Sequence, residues 1–361
     1  MVNLGSAQKF IGLGAAALRN NVAPLRRPYK LNFSITYWCQ SRCTICNIWQ
    51  LKPKNELGLD EIREFAAKNP FFKWIGVTGG EPFMRSDIVD VIGSFAEHSK
   101  KLYIVTIPTN SLCNTETVLG KVEEILKLGI PKLSITLSLD GHKELHDKLR
   151  GVPGNFDRVM LLAKGLRELR KRYSNLFYIF GYTMSQYNQG ALQQTYNEVN
   201  SALGNVRHNS FHINVAQISD IYYNNTGTKL VSEREPLANE LAEFIKHREA
   251  EFGAIPMLEG VFLRKLVNYV RTGKPPIRSR SLDASLFLDS YGNVFPSIMW
   301  NRKIGSIRES SYSLDPIWKS QAAREARDMI KRGQDPPSWT ACEAYQSIVS
   351  NAPSFASLLW K

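Results

Sequence analysis

The sequence predicts an α/β protein built on a parallel sheet, and three observations carry that expectation. Between residues 30 and 216, six short apolar runs rich in β-branched and aromatic residues alternate with longer amphipathic stretches. Strand–helix alternation of this kind implies parallel strands joined by right-handed crossovers. Three of the five cysteines, Cys39, Cys43 and Cys46, follow directly on the first run. That places them on a loop at a strand end, where such folds carry their chemistry. The alternation then stops near Gly227–Glu235, so a smaller C-terminal unit is expected beyond it.

In chain order, Leu4, Phe10, Ile11, Leu13, Ala17, Leu18 and Val22 give residues 1–28 one apolar helical side, with Lys9, Arg19, Arg26, Arg27 and Lys30 around it. Such a helix can pack under the sheet or lie on a membrane surface. Pro24 and Pro28 end it. The first strand runs from Lys30 to Trp38, followed by a helix over Leu59–Lys68 that opens with Asp60, Glu61 and Glu64. Strands at 74–78, 102–107, 132–139, 176–183 and 210–216 alternate with helices at 87–98, 116–128, 156–173 and 190–203. Beyond the transition, helices are predicted over 233–252 and 258–272. Next come a hairpin over 285–296 turning at Tyr291–Asn293, a short segment at 304–307 and a basic helix over 320–332.

Composition bounds the function. The 361 residues allow one large domain or a core with a smaller partner, and 43% hydrophobic residues suffice for a packed core. No apolar run is long enough for a membrane span, and no secretory signal stands out. Clustered thiols fit a reducing, cytoplasmic setting. The net charge of +13 favours anionic partners, whether nucleic acid, acidic lipid or a phosphorylated substrate.

Three cysteines spaced CxxxCxxC leave one thiol over if two pair as a disulfide. A structural zinc site wants four ligands, and no fourth Cys or His is near. Three thiolates on a 4Fe–4S cubane leave one iron open to a small molecule.

Cys39-Gln40-Ser41-Arg42-Cys43-Thr44-Ile45-Cys46, together with Gly79-Gly80-Glu81-Pro82 after the second strand, resembles the radical S-adenosylmethionine (radical SAM) family. Thr109-Asn110-Ser111 after the third strand and Ser138-Leu139-Asp140-Gly141, with His146-Asp147 and Arg150-Gly151 after the fourth, are similar to further family elements. The resemblance implies a partial (β/α)6 barrel over residues 29–230, with one 4Fe–4S cluster on Cys39, Cys43 and Cys46. It implies that the open iron chelates SAM and that reductive cleavage yields a 5′-deoxyadenosyl radical. It assigns SAM contacts to Gly79, Gly80, Glu81 and Pro82 at the amino group and to Ser138 and Asp140 at the ribose. Arg150 would meet the carboxylate, Ile45 the adenine, and Asn110 and Asn188 would complete the set. Ile45 stands where relatives commonly have an aromatic residue.

Residues 231–361 resemble a SPASM/twitch extension, with the hairpin followed by Ile304-Gly305 and Ile317-Trp318. The pattern departs from that family because Ser297 stands where a first cysteine is expected and only Cys342 follows. The extension therefore reads as degenerate, without its auxiliary cluster. Tyr182, His212, Asn214, Gln217, Tyr223 and Cys113 are candidates for the substrate side, with no catalytic residue fixed among them. The expected substrate is a peptide or protein. A lipid or isoprenoid at a membrane reached through residues 1–28 is the alternative. The electron is expected from a low-potential donor such as ferredoxin or flavodoxin. A non-catalytic iron–sulfur protein on the same scaffold is the rival of another class. Nucleic acid is not expected, since no RNA-binding motif accompanies the charge.

Overall fold

The computed structural model describes residues 4–351 other than 22, 24 and 252. The expectations for Val22 on the apolar face, Pro24 as a stop and Phe252 at a helix end lie outside the described residues. So does 352–361.

The chain forms α1 (Leu4–Arg19), β1 (Lys30–Thr36), α2 (Leu59–Lys68), β2 (Trp74–Gly79), α3 (Ile88–His98), β3 (Ile104–Thr109), α4 (Thr115–Lys127), β4 (Lys132–Ser138), α5 (Lys143–Arg150), α6 (Asn155–Arg172), β5 (Leu176–Met184), α7 (Leu192–Leu203) and β6 (Phe211–Val215). There follow α8 (Arg234–Lys246), α9 (Ala254–Thr272), β7 (Ser285–Leu288), β8 (Asn293–Phe295), β9 (Gly305–Ser306), α10 (Leu314–Trp318), α11 (Gln321–Lys331) and α12 (Ala341–Val349). The strands make one sheet in the order β6-β5-β4-β3-β2-β1-β7-β8-β9, and β1 to β6 are parallel. This is the α/β arrangement expected, open between its two edges rather than closed into a full barrel.

Alternation along each strand gives the sheet two unlike faces. On β1, Leu31, Phe33 and Ile35 join the main apolar core, where Phe33 packs its edge on Phe95 of α3. Each such side chain, fully buried, contributes about 1.5–3 kcal/mol. The opposite face carries Lys30, Asn32 and Ser34 from β1, Thr78 from β2, and Ser134, Thr136 and Ser138 from β4.

The C-terminal part does not stand apart from this sheet. β7 pairs in parallel with β1, Lys30 opposite Ser285 and Phe33 opposite Leu288, so the hairpin prolongs the barrel sheet. Its turn is built by Asp289, whose carboxylate accepts from the Tyr291 and Asn293 amides. The helix expected over 233–252 ends at Lys246. Arg248 donates instead to His208 O and Phe211 O, and the Glu249 amide to the Asn209 side chain, tying this stretch to the start of β6. α9 begins earlier than expected, at Ala254.

α12, like the short α5 and α10, is a helix the sequence did not announce. It packs against the polar face of the sheet. Lys30 Nζ donates to Cys342 O and Gln346 Oε1, Asn32 to Glu343, and Trp74 stacks on Tyr345. Lys30, grouped with the basic N-terminal segment on sequence grounds, is a fully buried residue of β1 with its ammonium over the Trp74 ring.

Candidate functional site

Thr36 ends β1 and the cysteine loop starts three residues later, at Cys39. The loop is pinned from three sides. The Gly80 amide donates to Thr36 O and the Glu81 amide to Trp38 O, so the segment after β2 runs along the loop's first residues. The approach requires glycine: a Cβ on Gly80 would stand 2.1 Å from Trp38 O, and Gly79 adopts φ +120°. The Arg42 and Thr44 amides donate to Arg150 O and Leu149 O at the end of α5. Asn225 reaches Ile45 O, and the Asn47 amide reaches Tyr223 O.

The loop holds the three thiols partly exposed at one end of the sheet. Burial, and next the neighbouring Cys43 thiol, push Cys39 up to about 11 and Cys46 up to about 12. Uncharged thiols are thus favoured until a cation compensates them. Asn110 Nδ2 lies 3.6 Å from Cys39 Sγ and Arg150 Nη1 lies 3.6 Å from Cys43 Sγ. Among the described residues no three Cys, His, Asp or Glu side chains close around a single metal ion. Thiols at the corners of a polynuclear cluster stand further apart than the ligands of one ion.

Beside the loop, Glu81 is 1% exposed. Its carboxylate accepts from the Asn110 amide at 2.7 Å and the Phe83 amide at 3.1 Å, yet burial lifts it to about 7. Asp140 accepts from the Thr183 amide and forms a 2.7 Å ion pair with Arg150. His146 joins these groups. The Asp140 amide donates to His146 Nδ1, which leaves Nε2–H to donate to Asn155 Oδ1, and Asn155 donates to Asn110 O. Burial first, then the Arg150 charge, hold His146 down to about 3, so it is neutral. Asp147 accepts from the Gly154 and Phe156 amides and caps α6.

Cys39, Cys43, Cys46, Ile45, Gly79, Gly80, Glu81, Pro82, Asn110, Asp140 and Arg150 therefore gather at one end of β1–β4, and Ser138 faces the sheet's polar side at the same end. Asn188 is engaged otherwise. Its amide donates to Asp140 O and Thr183 O and accepts from the Ser185 amide, so it supports the Asp140 turn. His146 and Asn155 are positioning residues that sequence reasoning missed. His146 lay inside a quoted motif, and nothing marked Asn155.

On the proposed substrate side the candidates divide. Tyr182 packs in the apolar core on the helix side of β5, because Gly181 and Thr183 take the other face. Gln217 is consumed by Trp339 O, the Trp339 amide and Tyr269 Oη. Neither offers a free polar atom to a substrate. His212 faces the polar side, its Nδ1 held at 2.8 Å by Glu259. Cys113 lies beside Gln40 of the cysteine loop. Ser297, where a further cysteine was expected, accepts from the Met299 amide, and Phe287, Phe295, Ile298 and Met299 form an apolar cluster around it with Cys342.

A family model described as the Radical SAM superfamily matches residues 33–189, the span from β1 to just past β5. Residues 33–189 are thus a radical SAM domain. Among curated relatives, an AdoMet-dependent heme synthase of Methanosarcina barkeri is 27% identical over 200 residues, covering 53% of this chain and 52% of that protein. A GTP 3′,8-cyclase of Erythrobacter litoralis is 34% identical over 119 residues, 31% of this chain and 34% of that protein. The chain thus spans about half the length, or less, of these relatives. Streptococcus suis SuiB bound to S-adenosylmethionine superposes with a TM-score of 0.58 at 17% identity, over 89% of this chain and 72% of that one. Native anSMEcpe with bound AdoMet does so with 0.58 at 14%, over 92% and 98%. These superpositions show the shared fold.

Radical SAM enzymes use a 4Fe–4S cluster and S-adenosylmethionine, and the residues of this radical SAM domain fit both. Three thiols on one loop supply soft ligands and leave a cubane one iron short. Ser41 Oγ, Ser111 Oγ and Arg150 Nε are buried at the site with no partner. Polar atoms left without a protein partner are available to a ligand at this site.

Proposed function

We propose that the chain is a radical SAM enzyme in which Cys39, Cys43 and Cys46 hold one 4Fe–4S cluster and a peptide is the substrate. The gathering of three thiols, a buried carboxylate and the Asp140–Arg150 pair at one end of the sheet carries this reading. When bound, the cluster supplies a low-potential electron that cleaves S-adenosylmethionine to methionine and a 5′-deoxyadenosyl radical. The chain's own residues orient the nucleotide. Glu81 meets the ammonium, whose charge favours the ionised carboxylate against its burial. Asp140 accepts from ribose hydroxyls, and Arg150 turns its fork to the carboxylate. Gly79 and Gly80 admit the ligand against bare backbone. The electron comes from a ferredoxin or flavodoxin.

The peptide assignment is supported by the neighbours: SuiB has a structure bound to precursor peptide SuiA, and anSMEcpe has structures with Cp18Cys and Kp18Cys peptides. Hydroxyl-bearing Ser134, Thr136 and Ser138 on a partly exposed strand face suit a polar main chain. The extension after β6 reads as SPASM/twitch-like with its auxiliary site replaced by the apolar cluster around Ser297. Deuterium transfer into 5′-deoxyadenosine tests the substrate class. The reconstituted protein is incubated with a perdeuterated peptide extract and, separately, a perdeuterated lipid extract. Label from the peptide extract supports the proposal, and label from lipid alone refutes the peptide assignment.

A further inference from the structure

α1 lies under the N-terminal ends of the strands. Lys73, just before β2, donates from Nζ to Gly12 O. Phe10 packs tilted against Tyr103, just before β3, with ring centroids 5.4 Å apart. Ala17, with Leu13 and Ala16 beside it, packs with Tyr29 and Ala284. That accounts for the inner face of the helix.

The outer face is also apolar. Ile11 is 67% exposed and Leu18 43%, and Ala15 is exposed on the same stripe, while Phe10 leaves 41% of its surface open at the edge. Helical spacing of 11, 15 and 18 puts these residues in one row. A helix buried on one side normally turns charge to water on the other. Here the water side holds Ile11 and Leu18 instead, and clustered exposed apolar residues mark an interaction surface.

Charge identifies the partner. The first acidic residue of the whole sequence is Glu56, so α1 and the segment after it carry no negative charge. Lys9, Arg19 and Arg26 belong to this stretch, and none pairs with a carboxylate among the described residues. Lys73 and Lys101 add to them: the cations that act on Lys73 are Lys101 and Arg19. Apolar side chains framed by unpaired cations match the interface of an anionic bilayer, where the ring of charge meets headgroups and the row enters the acyl boundary. A second copy of this face would set cation against cation.

We infer that the outer face of α1 docks the protein on an anionic membrane surface, with Ile11 and Leu18 inserted and Arg19, Arg26 and Lys101 on the headgroups. No helix among the described residues is long and apolar enough to cross the membrane, so the attachment is peripheral. The cysteine loop sits at the opposite ends of the strands. Docked this way, the protein turns that loop away from the lipid, and a substrate reaches it from the aqueous side.

The test is co-sedimentation of the full chain with vesicles of phosphatidylcholine alone and of phosphatidylcholine with phosphatidylserine. Its readout is independent of the cluster and of SAM chemistry. Binding to the phosphatidylserine vesicles is expected to fall at least about tenfold in Ile11→Asp/Leu18→Asp, and to weaken steeply with salt. Ile11→Gln/Leu18→Gln, milder and equally exposed, should show the same direction with an unchanged circular dichroism spectrum. Absence of wild-type binding would overturn the inference. Binding unchanged in both variants, or variants that instead convert a dimer to a monomer, would overturn it too.

Discussion

Two polar regions sit on the same face of one sheet, and they are finished differently. At the N-terminal ends of the strands, Lys30, Asn32, Ser281, Ser285, Glu343 and Gln346 close on one another. Asn32 donates to one Glu343 oxygen, while Ser281, Ser285 and Gln346 donate to the other. None of the six leaves a buried polar atom alone. At the C-terminal ends, the groups around the cysteine loop are equally buried but incomplete. Ser41, Ser111 and Arg150 each keep an orphaned atom, and Glu81 has two amide donors and no counter-charge in contact. A completed network specifies a fold, and an incomplete one has polar atoms left for a ligand. The lower region locks α12 into the barrel. The upper region is where the SAM-dependent function is proposed.

If that contrast is right, changes at the two ends should separate. The largest effect is at the thiols: Cys39→Ala, Cys43→Ala or Cys46→Ala should abolish iron uptake and SAM cleavage while leaving the thermal midpoint of the apo-protein nearly unchanged. Retained cleavage in any of the three would break the account. At the lower end, Glu343→Ala removes the acceptor of four donors and the nearest counter-charge of Lys30. It should cost about 3 kcal/mol in urea unfolding, with iron loading preserved in what folds. Arg150→Lys replaces a fork by a point charge. SAM affinity, followed by equilibrium binding to the reconstituted protein, should drop roughly tenfold to a hundredfold at constant iron content.

A subtler separation lies in pH. Burial raises both Glu81 and Glu343 to about 7 from the ordinary 4.5. A carboxyl raised in the folded state binds its proton more tightly there, so its stabilising contribution is full below about 4.5 and is lost as pH rises through about 7. Apo-protein stability should therefore decline over that window. Glu343→Gln should remove part of the slope at any ligand concentration, and saturating SAM should remove only the part owed to Glu81. A slope that SAM leaves intact would detach Glu81 from the ammonium. The smallest effect is expected at the two remaining thiols, where Cys113→Ala and Cys342→Ala should leave the iron count unchanged. A lower count would restore an auxiliary cluster to the C-terminal part.

The barrel was legible because its helices and strands obey a simple pattern. Leu59–Lys68, Ile88–His98 and the six parallel strands bury apolar residues at helical or alternate spacing. The motif loops were legible because glycine and cysteine leave so few alternatives at their positions, as Gly79 and Gly80 show. Much of what was not legible shares one cause. α12 presents Glu343, Gln346 and Ser347 inward, and its partners on β1 are Lys30 and Asn32. Polar residues that face polar residues in the interior look like solvent-facing residues in a sequence. The same blindness hid Asn155, whose part in the site depends on long-range contact with His146 and Asn110. It also left open Tyr182 and Gln217, whose engagement only the fold decides. The union of β7 with β1 needed the register, which a four-residue strand cannot announce.

The central claim is tested most directly by anaerobic reconstitution with iron and sulfide, followed by SAM and dithionite. The account predicts about four irons per chain and production of 5′-deoxyadenosine. A protein that takes up no iron on these thiols, or that loads about four irons and yields no 5′-deoxyadenosine with peptide present, would contradict it.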